Sequence, residues 1–156
     1  MILQEHIEAG FTLIELVAVI LLLSILSVVA LSRLGGMDVF EEKAYFDEVT
    51  NAFRYAQKLA QSTGCSVQVT TTSTSYKLLQ GSDCTSTTYD RNVLNPANRT
   101  LAYENLTPPD GVTLSPDSTI VFTPQSTVTG LGGNTPYSAG SYSFTLYTNT
   151  GLVDVN

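Results

Sequence analysis

The chain has 156 residues with 14 acidic and 7 basic side chains, a formal net charge of −7. That balance excludes a general nucleic-acid binder, which needs a basic face to displace counterions from phosphates. Charged residues make up 13% of the chain, against about a quarter in an ordinary soluble protein. The single histidine, His6, and the two cysteines, Cys65 and Cys84, are too few for the common Cys/His zinc sites.

The apolar residues are concentrated near the N-terminus. Phe11 to Leu31 reads FTLIELVAVILLLSILSVVAL, 21 residues with one charge, Glu15. As a helix this segment would be about 31 Å long, the thickness of a bilayer core. A domain of this size rarely surrounds a helix that is apolar on every side, so a membrane span is expected rather than a buried core helix. The run exceeds the apolar core of about 7–15 residues in a secretory signal, and Val29-Ala30-Leu31 is a poor cleavage site, so the span reads as a retained anchor. Glu15 is anomalous, because a carboxylate within such a span costs on the order of 2–4 kcal/mol. No Lys, Arg or His lies in the span to pair with it. The nearest cation would be a new N-terminal amine, made by a cut just before Phe11. The plain alternative is that Glu15 snorkels from the helix end to the interface.

Residues 9 to 17, Ala-Gly-Phe-Thr-Leu-Ile-Glu-Leu-Val, resemble the processing site of type IV prepilins and type II secretion pseudopilins. The resemblance implies that a membrane aspartyl prepilin peptidase cuts after Gly10 and methylates the amine of Phe11. A glycine at the cut suits a narrow peptidase cleft. In a filament, Glu15 would then neutralise the Phe11 amine of a neighbouring subunit, two charges that are costly alone in apolar surroundings and cheaper together. The leader MILQEHIEA contains Glu5, His6 and Glu8 but no Lys or Arg, where family leaders are usually short and basic. Cleavage would discard the only histidine, which removes a histidine-based catalytic triad from the mature chain.

Ser32 to Gly36 interrupts the apolar run, with Gly35-Gly36 expected as a kink or soft joint. Asp38 is expected to cap a second helix, with Glu41 completing a capping-box pattern. From Val39 to Thr63, Tyr45, Val49, Ala52, Phe53, Ala56, Leu59 and Ala60 recur at three- and four-residue steps, one face of an amphipathic helix. Glu41, Glu42, Asp47 and Glu48 come early and Arg54 and Lys58 late, in favour of the helix dipole. Gly64 is the expected stop.

Beyond Gly64 the texture changes to Thr, Ser, Val and Tyr punctuated by turn residues. Strands are expected over Ser66–Thr72, Tyr76–Gln80, Val112–Leu114, Thr119–Thr123 and Ser141–Tyr147. Asn149-Thr150-Gly151 should turn the chain into Leu152–Val155. Residues 81–111 and 130–140 read as loops. Cys65 and Cys84 are expected to form a disulfide, closing a loop of about 20 residues and stabilising by roughly 3 kcal/mol; two independent thiols are the alternative. Ser118 to Gly130, Phe144 to Val155 and Phe53-Arg54-Tyr55-Ala56-Gln57 resemble segments of minor pilins and pseudopilins of the GspH/FimT type, with Gln125-Ser126 where a turn glycine is usual. A minor pilin of the mannose-sensitive-haemagglutinin type of pilus is one member that fits.

Other chemistry is weakly represented. Asp83, Asp90, Asp110 and Asp117 are scattered, without the DxDxDG spacing of a calcium loop. The Ser/Thr run Thr70–Ser75 has no SxxK or GxSxG setting. Asn98 and Asn105 begin glycosylation sequons by spelling alone. Arg91 and Arg99 could touch a phosphate, but two charges give little affinity, and the last 57 residues have neither Lys nor Arg.

The fold class expected is therefore α+β and pilin-like: a long N-terminal helix, half transmembrane and half amphipathic, packed on a mainly antiparallel β head. The divisions are a cleaved leader (1–10), a membrane or filament-core helix (11–36), an amphipathic helix (37–64) and a β-rich head (65–156). No enzyme activity, cofactor, metal or nucleic acid is expected. The resemblance implies a subunit anchored once in the bacterial inner membrane with its head in the periplasm, then assembled into a pilus or pseudopilus. The implied partners are the prepilin peptidase, other pilin or pseudopilin subunits, the inner-membrane assembly platform and inner-membrane lipid. The alternatives are an anchored binding module, such as an adhesin or a DNA-uptake pilin, and, less compatible with these residues, an anchored hydrolase.

Overall fold

A computed structural model describes residues 12–31 and 37–156, with side chains over 12–27 and 38–156. Gly10, Phe11, the leader and Gly35-Gly36 lie outside the described residues. The chain divides into two compact units, Met1–Met37 and Asp38–Asn156.

In the first unit, helix α1 runs from Leu13 to Leu31. Thr12 starts it: the Glu15 N–H donates to the Thr12 carbonyl at 3.1 Å and lies 3.3 Å from the Thr12 hydroxyl oxygen. Thr12 is thus the N-cap and Glu15 the third helical residue, a Thr-x-x-Glu capping pattern. Ser24 and Ser27 donate their hydroxyls to the carbonyls of Leu21 and Leu23, each at 2.7 Å, so their polar groups are satisfied within the helix.

The second unit is built on helix α2, Met37–Thr63. Its apolar stripe is buried as the periodicity requires, except that Leu59 is half-buried, and Phe46, adjacent to that stripe, is buried with it. Asp38 lies inside the first turn rather than ahead of it. It therefore complements the positive end of the helix dipole instead of capping from outside. The last turn holds no basic residue, so the dipole reading of the bases carries little weight. Gly64 ends the helix at φ +71°, its N–H donating to the Ala60 carbonyl at 3.0 Å, a conformation that glycine adopts without steric cost.

The rest of this unit forms two antiparallel sheets. The first contains β1 (Val67–Thr72), β2 (Ser75–Gln80), β3 (Arg91–Asn92), β4 (Glu104–Asn105), β6 (Ser118–Phe122) and β7 (Val128–Thr129), in the order β3-β2-β1-β6-β7 with β4 also on β2. The second contains β5 (Leu114–Ser115), β8 (Thr135–Ala139), β9 (Tyr142–Leu146) and β10 (Val153–Val155), in the order β10-β9-β8-β5. Alternation sets the inward residues: Val67 and Val69, Tyr76 and Leu78, Ile120 and Phe122, Phe144 and Leu146 are all buried. Phe53 of α2 joins the sheets, its ring centroid 6.2 Å from Phe122 of the first and 4.9 and 5.1 Å from Tyr137 and Phe144 of the second.

Three expectations need correction. Residues 130–140 are not all loop, because Thr135–Ala139 is strand β8 with Tyr137 fully buried. Pro136 hides it in the sequence; β5 pairs only with Ser138 and Ala139, so the missing proline N–H falls where no second ladder bond is needed. Residues 81–111 carry the short strands β3 and β4. The strand expected at Val112–Leu114 is displaced to Leu114–Ser115, and it belongs to a different sheet from β6. At that crossover the Thr71 hydroxyl donates to the Pro116 carbonyl at 2.9 Å, and the hydroxyls of Ser118 and Tyr137 are 2.7 Å apart. This pairing satisfies buried polar atoms between the sheets.

Candidate functional site

The N-terminal motif and α1 form the first candidate. Every described side chain of α1 is exposed, among them Leu13 at 81%, Ile14 at 72% and Leu26 at 63%. The helix is apolar all round, and its own unit leaves this apolar surface uncovered. Among the described residues no helix is long and apolar enough to cross a membrane; the described side chains of α1 end at Ser27, short of the Phe11–Leu31 run. The Glu15 carboxylate has no ion-pair partner among the described residues, where Lys43–Asp47 is the one ion pair. Gly10 and Phe11, the processing residues, are not among those described.

The second candidate is the polar border of α2. On one flank Glu42 accepts the N–H of Ser141 and, at 2.7 Å, its hydroxyl. These two bonds hold the Glu42 carboxyl below its ordinary pKa. A Cβ at Gly140, where φ is +61°, would strike that carboxylate. Further along, Arg54 donates to the Val153 carbonyl at 3.3 Å, Gln57 to the Thr150 carbonyl at 2.8 Å and Gln61 to the Ser126 hydroxyl at 2.7 Å. On the other flank Glu48 accepts from the Tyr76 hydroxyl at 2.6 Å and from the Asn105 amide at 3.0 Å. Burial, followed by the Glu48 carboxylate, pushes Tyr76 up, and the same two causes raise Tyr45 and Tyr103.

Periodicity leaves Glu42 and Glu48 outside the apolar stripe, and the structure gives them the partners Ser141, Tyr76 and Asn105. The available signal is position: Glu48 follows Tyr45 by three residues and precedes Val49, so it borders the buried stripe. The Thr12-x-x-Glu15 cap is likewise spelled in the sequence, although the processing motif dominates the reading of those residues.

Cys65 and Cys84 are bonded to each other, with Cα atoms 4.3 Å apart across 19 residues, and no free cysteine remains. The bridge ties the exit of α2 to the segment after β2. Asp83 accepts the N–H and hydroxyl of Thr85 at 2.9 and 2.8 Å, which holds its carboxyl below the ordinary value. Among the described residues no group of three or more His, Cys, Asp or Glu side chains is placed to hold a metal. Asn98 accepts from Thr100 and Asn105 from the Thr107 N–H; both asparagines shape local turns. Arg91 sits on β3 and Arg99 in the loop between Asn95 and Leu101.

No curated protein and no solved structure matches the chain. Residues 6–31 match the family described as the prokaryotic N-terminal methylation motif. The match spans Gly10, Phe11, Glu15 and the whole of α1. It supports a place for this chain among the type IV pilins and pseudopilins, proteins processed at such a motif and assembled into filaments.

Proposed function

We propose that the chain is a minor pilin or pseudopilin. The prepilin peptidase removes residues 1–10 and methylates Phe11, α1 holds the subunit in the inner membrane with its β-rich unit in the periplasm, and the assembly platform then draws it into a filament. The observation that carries this reading is the surface of α1: apolar on every described side, with one carboxylate in its first turn, inside the methylation-motif match. Lipid covers that surface before assembly and neighbouring helices cover it afterwards. The Phe11 amine, cationic only after cleavage, offers Glu15 of an adjacent subunit the charge it otherwise lacks. Among type IV pilus and type II secretion components, the GspH/FimT-type minor subunits are the nearest fit, on the strength of residues 118–130 and 144–155.

Mass spectrometry of the protein from cells with and without an active prepilin peptidase tests this. The expected result is a chain beginning at a methylated Phe11 only when the peptidase is active. An intact leader in the presence of the peptidase overturns it. Glu15→Ala should leave cleavage intact and remove the subunit from sheared filaments; unchanged incorporation overturns the assembly role of Glu15.

A further inference from the structure

A cleft of about 260 Å³ opens beside the N-terminal half of α2. Glu41, Ala44, Tyr45 and Glu48 line it from the helix, and Asn105 and Pro109 from the opposite wall. Glu41 and Glu48 are two helical turns apart, about 10 Å along the axis. The small side chain of Ala44 leaves the space between them open. Tyr45 is 2% exposed, and its hydroxyl is buried without a hydrogen-bond partner. An unpaired buried hydroxyl costs free energy that a partner would recover. Glu48 is half-buried and has two neutral donors, Tyr76 and Asn105. A carboxylate offers about four acceptor positions, so it retains capacity, and among the described residues no cation pairs with it.

We propose that this cleft binds the guanidinium group of an arginine side chain presented by another polypeptide. Two carboxylates repel an anion and attract a cation, and the Tyr45 oxygen can accept from a cationic donor. A metal ion is poorly served, because the two acids are too far apart to chelate together and, among the described residues, no third acidic ligand joins them. A lysine ammonium is a compact charge that would sit against one carboxylate and leave the cleft unfilled. Guanidinium is flat and wide, with five donors in a fixed fork. It can place a pair of N–H groups on Glu48, direct another to the Tyr45 oxygen and keep its charge in the field of Glu41. Its three-carbon stem would lie against Ala44 and Pro109. The chemistry belongs to the Asp38–Asn156 unit alone and stands whether or not the chain enters a filament.

The test uses the full chain in detergent micelles, carbon-13 labelled, titrated with N-acetyl-arginine methylamide. Saturable shifts of the Glu48 carboxyl and Tyr45 ring signals are expected, with no response to N-acetyl-norleucine methylamide. Glu48→Gln should abolish the response. Because Glu48 also holds Tyr76 and Asn105, two gentler variants decide the matter: Tyr45→Phe removes a hydroxyl with no partner in the structure, and Glu41→Gln alters an exposed side chain. Each should weaken binding roughly fivefold while leaving the unfolding midpoint in place. The proposal is overturned by an absent or non-saturable response, by affinities unchanged in both gentle variants, or by an equal response to the lysine analogue.

Discussion

The two helices of this chain distribute their apolar surface in opposite ways. Over 19 residues α1 carries one charge and leaves every described side chain exposed. Over 27 residues α2 buries Tyr45, Phe46, Val49, Thr50, Ala52, Phe53, Ala56 and Ala60 and directs its charged residues elsewhere. In α1 the backbone groups are satisfied internally, and its serines bond back to their own helix. Nothing in its own unit is needed to complete it except an apolar surround. In α2 stability comes from tertiary packing of one stripe, with polar borders stitched to the sheets at Glu42, Glu48, Arg54, Gln57 and Gln61. Helix propensity explains neither element; the distribution of apolar surface around the axis does.

Truncating one side chain in each helix separates the two most sharply. Phe53→Ala, at the junction of both sheets, should cost about 3–5 kcal/mol. Leu22→Ala, 61% exposed on α1, should change unfolding of the β-rich unit by less than about 0.5 kcal/mol. Urea unfolding of the full chain in micelles, followed by tyrosine emission since tryptophan is absent, checks both. Equal losses would show that the helices share one cooperative core.

A smaller effect concerns the covalent tether at the exit of α2. Replacing Cys65 and Cys84 together by Ser should lower stability by about 3 kcal/mol in the loop-entropy account, measured as a shift in the urea midpoint. Because the bridge closes only the 65–84 segment, the variant should leave the partition of α1 into micelles unchanged.

The smallest effect is electrostatic. The Ser141 bonds lower the Glu42 pKa from its ordinary 4.5, so the ionised form is favoured in the folded state. The resulting stabilisation is present above the ordinary value and is lost as pH falls through the lower folded one. Glu42→Gln should therefore remove part of the acid-side decline in melting temperature while leaving the neutral-pH profile parallel to that of the parent. A parent and variant that decline identically between pH 5 and 3 (roughly the interval spanned by an ordinary carboxylate) would show that the contact contributes nothing.

Much of the architecture is legible in the sequence because it is written in short-range patterns. The stripe from Tyr45 to Ala60, the stop at Gly64 and the turn at Asn149–Gly151 each depend on residues within about one or two helical turns or a single hairpin. The N-terminal motif is legible for the same reason: nine adjacent residues carry it. Strand β8 is hidden because Pro136 and its glycine-rich approach look like a loop, and only the one-sided pairing of Pro136 makes the strand permissible.

By itself, then, the sequence determined two helices of opposite character, a strand-rich remainder and a processing motif, since each arises from periodicity or contiguous spelling. Tertiary structure alone decided that β5 and β6, separated by two residues, enter different sheets, and that Glu48 takes Tyr76 and Asn105 as its partners. Those outcomes turn on contacts between residues far apart in the chain, where the competition among burial, pairing and chain closure is settled by the whole fold and leaves no local signature.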